Sequence, residues 1–267
     1  MTKVCVAGAT GWTGEPLARA LRSHATLRLH SAVARSAAGS DLGDVLDGTH
    51  WGVPVFGTVA DALDGVDVLI DYTSHATIKA HTLLAISRGV HVVVGSSGMT
   101  GADFENIDAA ARAAGVGVVA SGNFAVTAAL AQAAALLAAK HLPSWEVIDY
   151  ASDTKPDVPS GTARELAERL SAVHRPVEGV AIADTAGPIE ARGADIDGTR
   201  VHSLRLPGHT VGTDAVFGLP GEKLTIRFEA GSSADPYVAG TLLAAAKVPE
   251  LVGVTRGLDR LLLGDLG

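Results

Sequence analysis

Lys155-Pro-Asp-Val-Pro-Ser-Gly-Thr162 gathers a cation, a turn of small residues and a helix start into one short segment. The residues that follow, Ala163 to Leu170, read as an amphipathic helix, with Leu166, Leu170 and Val173 at i, i+4 and i+7. Pro159 keeps the preceding chain from running helically into it, and Ser160 or Thr162 can cap it. The backbone N–H groups of Ser160, Gly161 and Thr162 are then expected to be unpaired and to face outward with the positive end of the helix dipole. That arrangement binds carboxylate or phosphate. Gly161 lets a ligand approach the backbone closely, and Lys155 adds a full positive charge. A capped loop with no ligand is the other reading of the same spacing.

The elements that would present this segment begin with a glycine turn. Lys3-Val-Cys-Val-Ala7 is a short apolar strand, Gly8-Ala-Thr-Gly11-Trp-Thr-Gly14 follows it, and Glu15 to Leu21 reads as a helix. Strand, glycine turn and helix in this order make a dinucleotide fingerprint, here spaced G-x-x-G-x-x-G. Gly8 makes the turn, Gly11 admits the pyrophosphate and Gly14 lets helix and strand pack. The second strand, Leu27 to Ala34, is followed by Arg35 and Ser36, where an NAD-preferring site usually has a carboxylate. Arg35 suits a 2′-phosphate, which favours NADPH over NADH; a solvated loop arginine is the alternative. Strands at Val66–Tyr72, His91–Gly95 and Val116–Ala120 alternate with helices over 78–87 and 104–114. The alternation predicts an α/β fold with a Rossmann-type, doubly wound parallel sheet. Its strand ends carry Thr73, Ser96, Ser97, Ser121 and Asn123, where the nicotinamide is expected; the two adjacent serines read as cofactor or loop-capping contacts rather than nucleophiles.

The second half reads differently. Ala125–Ala139 is an alanine-rich helix and Trp145–Tyr150 a strand, and beyond the 162–173 helix Thr199–Leu206, Thr213–Phe217 and Lys223–Glu229 read as strands between Gly-Pro turns. An α+β domain with an open mixed sheet is expected. The division is a dinucleotide-binding domain over 1–122, a substrate-binding and oligomerisation domain over 123–237, and a helix and tail over 238–267 returning to the first.

Lys155-x-Asp-x-Pro-Ser-Gly-Thr162 resembles the signature of the 4-hydroxy-tetrahydrodipicolinate reductase (dihydrodipicolinate reductase) family of lysine biosynthesis. Asp71-Tyr-Thr73, Gly95-Ser-Ser-Gly98 and Ser121-Gly-Asn-Phe124 resemble further loops of that family, in the same order, so the likeness runs from residue 3 to about 247. The resemblance implies an NAD(P)H-dependent oxidoreductase acting on a small carboxylate substrate, assembled as a homotetramer through the second sheet. It implies substrate contacts at Ser152, Lys155, Ser160, Gly161 and Thr162. Cofactor contacts are expected at Gly8, Thr10, Gly11, Trp12, Thr13, Gly14, Arg35, Thr73, Gly95, Ser96, Ser97, Ser121, Asn123 and Phe124. The chain also departs from the family. Two adjacent histidines, the first considered the catalytic acid/base, are replaced by Ala151 and Ser152. Gly212-Thr213-Asp214 stands where relatives carry a histidine, and Arg227-Phe-Glu229 and Ala234 where they carry Arg-His-Asp and a later arginine.

Composition bounds the rest. The 267 residues fit one large or two ordinary domains, 47% of them hydrophobic, with a net charge of −8. No run reaches the roughly eighteen apolar residues of a membrane span, and the first residues enter a strand without a basic-plus-apolar leader. A single cysteine excludes an internal disulfide and fits a reducing cytoplasm. The acidic balance, the absence of a basic run and an aromatic content of 4% argue against nucleic-acid binding. The ten histidines show no metal-ligand spacing, so no metal is expected, and His202 and His209 read as structural.

Hydride addition to C=N or conjugated C=C leaves an atom that must gain a proton, and a positioned donor is worth about 10²–10⁴ in rate. Lys155, Asp153, Tyr150 and water are the candidates, with Lys155 first because burial beside a cofactor lowers an amine's pKa. A substrate arriving as a protonated iminium needs less help, and its cation suits Asp153 or Asp157. Three readings follow: a reductase of this type acting on another carboxylate-bearing imine or amine, the lysine-pathway enzyme with a substituted proton donor, and a non-catalytic NADP-binding sensor.

Overall fold

The computed structural model describes residues 1–264, which form two compact units, one of residues 1–126 with 234–264 and one of residues 127–233. In the first unit the strands are β1 (Thr2–Ala7), β2 (Leu27–Val33), β3 (Val55–Phe56), β4 (Val68–Asp71), β5 (His91–Val94), β6 (Gly117–Ala120) and, from the far end of the chain, β12 (Gly253–Arg256). Its helices are α1 (Gly14–Leu21), α2 (Leu42–Leu46), α3 (Val59–Ala62), α4 (Ile78–Ser87), α5 (Gly101–Ala114), α8 (Asp235–Lys247) and α9 (Asp259–Leu263). All pairings in this sheet are parallel, in the order β12-β6-β5-β4-β1-β2-β3. This is the doubly wound, Rossmann-type sheet expected from the alternation.

Near-continuous apolar strands such as Val68–Asp71, buried throughout, are what a sheet covered on both faces requires. Cys5, Leu69, Val92 and Val118 from the strands pack with Ile78, Ile107 and Ala111 from α4 and α5. Burial pushes the Cys5 thiol up to about 12, so it is an inert core residue. The register aligns Ala7 with Asp71, Asp71 with Val94, and Val94 with Ala120. The loops after β1, β4, β5 and β6 therefore leave one edge of the sheet together. α5 starts at Gly101 rather than 104, because Thr100 and Asp103 form a reciprocal capping box.

The second unit holds most of α6 (Val126–Ala139), with β7 (Ser144–Ala151), α7 (Gly161–Ser171), β8 (Ala194–Ile196), β9 (Thr199–Arg205), β10 (Val211–Leu219) and β11 (Glu222–Ala230). Its sheet runs β11-β10-β7-β9-β8, with β7 and β9 parallel and the other pairs antiparallel. Burial along β7 alternates strictly, and the inward residues Trp145 and Val147 pack with Ala135, Ala139, Leu166 and Leu170 of α6 and α7. Among the described residues, no helix is long and apolar enough to cross a membrane.

Candidate active site

The turn between β1 and α1 is shaped for a dinucleotide. Gly8 has φ +82°, and a Cβ there would lie 2.6 Å from the Tyr72 carbonyl oxygen. A Cβ on Gly14 would come within 2.0 Å of the Gly8 carbonyl, so α1 reaches the strand only because that position has no side chain. At Gly11 the sole neighbour within 4 Å is the Gly8 carbonyl at 3.1 Å, which leaves the outer side of the turn bare. A pyrophosphate fits such a backbone lining at a helix N-terminus. Thr13 is the N-cap residue without a side-chain capping bond, and Thr10 lies in the turn beside it. Trp12 is 56% exposed and meets Tyr237 edge-on at 5.7 Å. Arg35 opens a short 3₁₀ turn after β2, is exposed, and has no ion-pair partner among the described residues. The position before it is Ala34, so no carboxylate stands there for ribose hydroxyls.

The other strand-end residues divide into two kinds. Thr73 donates both its N–H (2.8 Å) and its hydroxyl (2.6 Å) to Asp71, a wholly buried carboxylate that also meets His81 Nδ1 at 2.8 Å. Ser121 donates to the Asn123 carbonyl, and Asn123 Oδ1 accepts the Ala125 N–H, so these two shape their own turn. Phe124 is a core residue whose ring packs edge-on to Tyr72 at 6.3 Å. Gly95 makes room for that tyrosine: a Cβ would lie 2.2 Å from its ring. Ser96 and Ser97 follow in the loop, the first half-buried and the second exposed.

In the second unit, the Lys155–Thr162 segment joins β7 to the N-terminus of α7. Ser160 is the N-cap, its hydroxyl oxygen accepting the Ala163 N–H at 3.3 Å. Its own groups are not free, contrary to the outward-facing amide expected from spacing. The Ser160 N–H donates to Asp149 at 2.9 Å and the hydroxyl to the same carboxylate at 2.6 Å. Asp149 is wholly buried and also takes bonds from Ser203 (3.0 Å) and Arg205 (2.8 Å). Gly161 stands in the first turn, where a helix offers no carbonyl to its N–H groups, and Thr162 is buried beside it. Lys155 pairs with Asp157 at 2.9 Å with about a third of its side chain exposed, so within this unit it lacks the burial expected of it. Asp157 Oδ2 and Arg205 Nε are buried without a hydrogen-bond partner. The Val158–Pro159 peptide is cis.

Ala151 and Ser152, which precede the Lys155 turn, have local roles in the structure. Ala151 is buried in β7, and Ser152 starts a turn closed by the Lys155 N–H donating to its carbonyl at 3.0 Å. Its hydroxyl contacts Asp153 and Thr154. Asp153 faces solvent. Tyr150 leaves the list of proton donors: strand alternation turns it to the sheet face opposite Asp149 and Ser160. There its hydroxyl donates to Asp214 at 3.1 Å, which Arg227 grips through Nε at 2.7 Å. Arg227 holds the Asp214 carboxyl below the usual range, while burial and the hydrogen bond to Asp214 push the Tyr150 phenol up. Asp214 and Arg227 thus bind one another. His202 pairs with Glu146 at 2.7 Å and His209 lies over Tyr150 at 5.3 Å, both on this same face. A cavity of about 510 Å³ on that face, walled by Glu146, Ile148, Arg200 and Val216, is therefore remote from the Ser160 turn.

Asp41, Asp44 and His50 bring potential ligand atoms within 4.8 Å of one another on the surface of the first unit. Asp41 already accepts N–H bonds from Gly43, Trp51 and Val53, which makes it a loop anchor.

Comparison with known proteins settles the lineage. Residues 2–124 match the family model "Dihydrodipicolinate reductase, N-terminus" and residues 122–261 match "Dihydrodipicolinate reductase, C-terminus". The chain belongs to the dihydrodipicolinate reductase family. Among curated relatives, 4-hydroxy-tetrahydrodipicolinate reductase of Moorella thermoacetica is 35% identical over 268 residues, covering 97% of both chains. The enzyme of that name from Listeria monocytogenes serotype 4b is 32% identical over 263 residues, covering 97% of this chain and 99% of its own. A dipicolinate-bound dihydrodipicolinate reductase from Paenisporosarcina sp. TG-14 superposes with a TM-score of 0.74 at 27% identity, over 97% of this chain and 99% of that one. Dihydrodipicolinate reductases are NAD(P)H-dependent oxidoreductases acting on C=N bonds, and this chain has their fold over its length.

Proposed function

We propose that this chain is an NAD(P)H-dependent reductase of a carboxylate-bearing imine or related unsaturated amine, with the dinucleotide on the first unit and the acid held by Lys155 and the α7 N-terminus. The Lys155–Thr162 segment carries the reading: a cation, a capped helix start and Gly161 in its first turn suit a carboxylate. NAD(P)H, when bound, supplies the hydride. The Gly8–Gly14 backbone holds the pyrophosphate, and Arg35 takes a 2′-phosphate, so NADPH is the favoured cofactor and NADH the weaker one. With Ala151 and Ser152 in place of the histidine pair, the proton must come from Lys155 or from water, or arrive on the substrate as an iminium. Asp153 and Asp157 would then stabilise that cation. This departure favours a substrate other than that of the curated relatives.

The second reading is the lysine-pathway activity of those relatives with a substituted proton donor; mutual coverage of 97% with the Moorella thermoacetica enzyme supports it. A substrate loop is of no use to a pure NADP sensor, which argues against that alternative. The cavity beside Ile148 and Val216 is lined by strand and loop residues of the second unit, in keeping with a homotetramer built through that sheet. NADPH oxidation is to be measured with tetrahydrodipicolinate precursor made in situ by the preceding synthase, and with a panel of cyclic imino acids, NADH in parallel. Turnover on the panel and not on the precursor supports the first reading; the reverse supports the second; NADPH binding with no turnover on either leaves the sensor.

A further inference from the structure

Asp149 is fully buried on the face of β7 that packs against α7, a place where an isolated carboxylate is costly. Four donors converge on it: the Ser160 N–H and hydroxyl at 2.9 and 2.6 Å, the Ser203 hydroxyl at 3.0 Å and Arg205 at 2.8 Å. The same Arg205 nitrogen also donates to the Asp157 carbonyl at 2.7 Å, while its other terminal nitrogen is tied to the Leu204 carbonyl at 2.8 Å. Asp157 in turn pairs with Lys155 at 2.9 Å. One guanidinium on β9 thereby fastens both ends of the loop, the Lys155–Asp157 turn directly and Ser160 through Asp149.

The charges matter as much as the bonds. A bare carboxylate behind the first turn of α7 would oppose the helix's positive end, which a substrate acid needs. Arg205, with only 15% of its side chain exposed, cancels that charge from a largely buried position. A lysine would keep the charge but lose the second terminal nitrogen, whose bond to the Leu204 carbonyl fixes the plane that aims the first at Asp149 and the Asp157 carbonyl.

We propose that Arg205, acting with Asp149, is a positioning residue for substrate binding: it sets the Lys155–Thr162 loop in its ligand-holding shape and neutralises the anion beneath it. The inference rests on reading that loop as a carboxylate site. The test uses the full chain, the dicarboxylate probe dipicolinate titrated in the presence of NADPH, and amide hydrogen exchange. Arg205→Lys is expected to weaken dipicolinate by at least about tenfold with NADPH affinity unchanged. The Ser160 and Lys155 amides should then exchange about tenfold faster, with the β10–β11 amides unaffected. Unchanged dipicolinate affinity and unchanged loop exchange overturn the proposal. If the wild-type chain does not take dipicolinate, the carboxylate reading fails, and the exchange rates decide the positioning role by themselves. Should Arg205→Lys not fold, Ser203→Ala removes one donor from Asp149 and is expected to give the same pattern at roughly threefold.

Discussion

Asp149 and Ser160 meet twice, the backbone N–H of Ser160 at 2.9 Å and its hydroxyl at 2.6 Å from the two oxygens of one buried carboxylate. This pairing fixes where α7 begins and directs the turn that precedes it. Ser160 therefore ties the start of α7 to β7, and its N–H and hydroxyl are both engaged within the protein.

Ser160→Ala follows directly. It removes the N-cap, worth about 1 kcal/mol, and one donor from a buried carboxylate, worth about 1–3 kcal/mol. Urea unfolding should show a loss of roughly 2–4 kcal/mol, with NADPH affinity unchanged in the variant that remains folded. A loss under about 0.5 kcal/mol would mean that the Asp149–Ser160 pair carries no weight in the fold.

Asp153 and Asp157 are the acids proposed to stabilise an iminium substrate, the first solvent-facing and the second paired with Lys155. Asp153→Asn with Asp157→Asn is expected to lower kcat/KM by about tenfold or more on the active imine, with NADPH KM unaltered. Unchanged turnover would remove the aspartates from the mechanism and leave Lys155 or water as the proton source.

Arg35 carries the cofactor prediction. It is exposed, without an ion-pair partner among the described residues, and stands where NAD sites have an acid. Arg35→Ala should raise the KM for NADPH by about tenfold and leave that for NADH unmoved. Equal effects on both cofactors would assign the arginine to something other than a 2′-phosphate.

His91 predicts a pH dependence of stability. Its Nδ1 accepts the Gly117 N–H at 2.9 Å, and burial holds its pKa below the ordinary value, with Asp67 opposing. In the window just below about pH 6.5 the unfolded chain then binds more protons than the folded one, so stability must fall as pH falls through it. Thermal melts between about pH 7.5 and 5.5 should show this fall in the wild type and a flatter profile in His91→Asn. Parallel profiles would show that His91 is not the group responsible.

Much of this molecule is legible in the chain itself. The α4 helix over 78–87, the parallel doubly wound sheet implied by βα alternation, and the Gly8–Gly14 turn all follow from apolar periodicity and glycine placement. The two-residue β3 and the late β12 do not, because strands this short have no alternation to read, and β12 gains its place only by pairing with β6. The site was half visible. Lys155 and the Pro-Ser-Gly-Thr turn announce themselves by spacing, whereas Asp149 and Arg205 sit in strands with no motif. A signal was there: in the Trp145–Ala151 alternation Asp149 falls on the face of Trp145 and Val147, and a charge on the apolar face of a strand marks a buried partner. The same alternation sends Tyr150 to the other face, which sequence reasoning left open as a proton donor.

Lys155→Ala probes whether the cation holds the substrate acid, by steady-state NADPH oxidation on whichever imino acid the wild type reduces. The account predicts a rise of about 10–100-fold in the substrate KM, the value of a charged hydrogen bond to a carboxylate, with NADPH binding intact. A substrate KM equal to that of the wild type would contradict it, because the cation and the helix start would then not be the place where the acid is held.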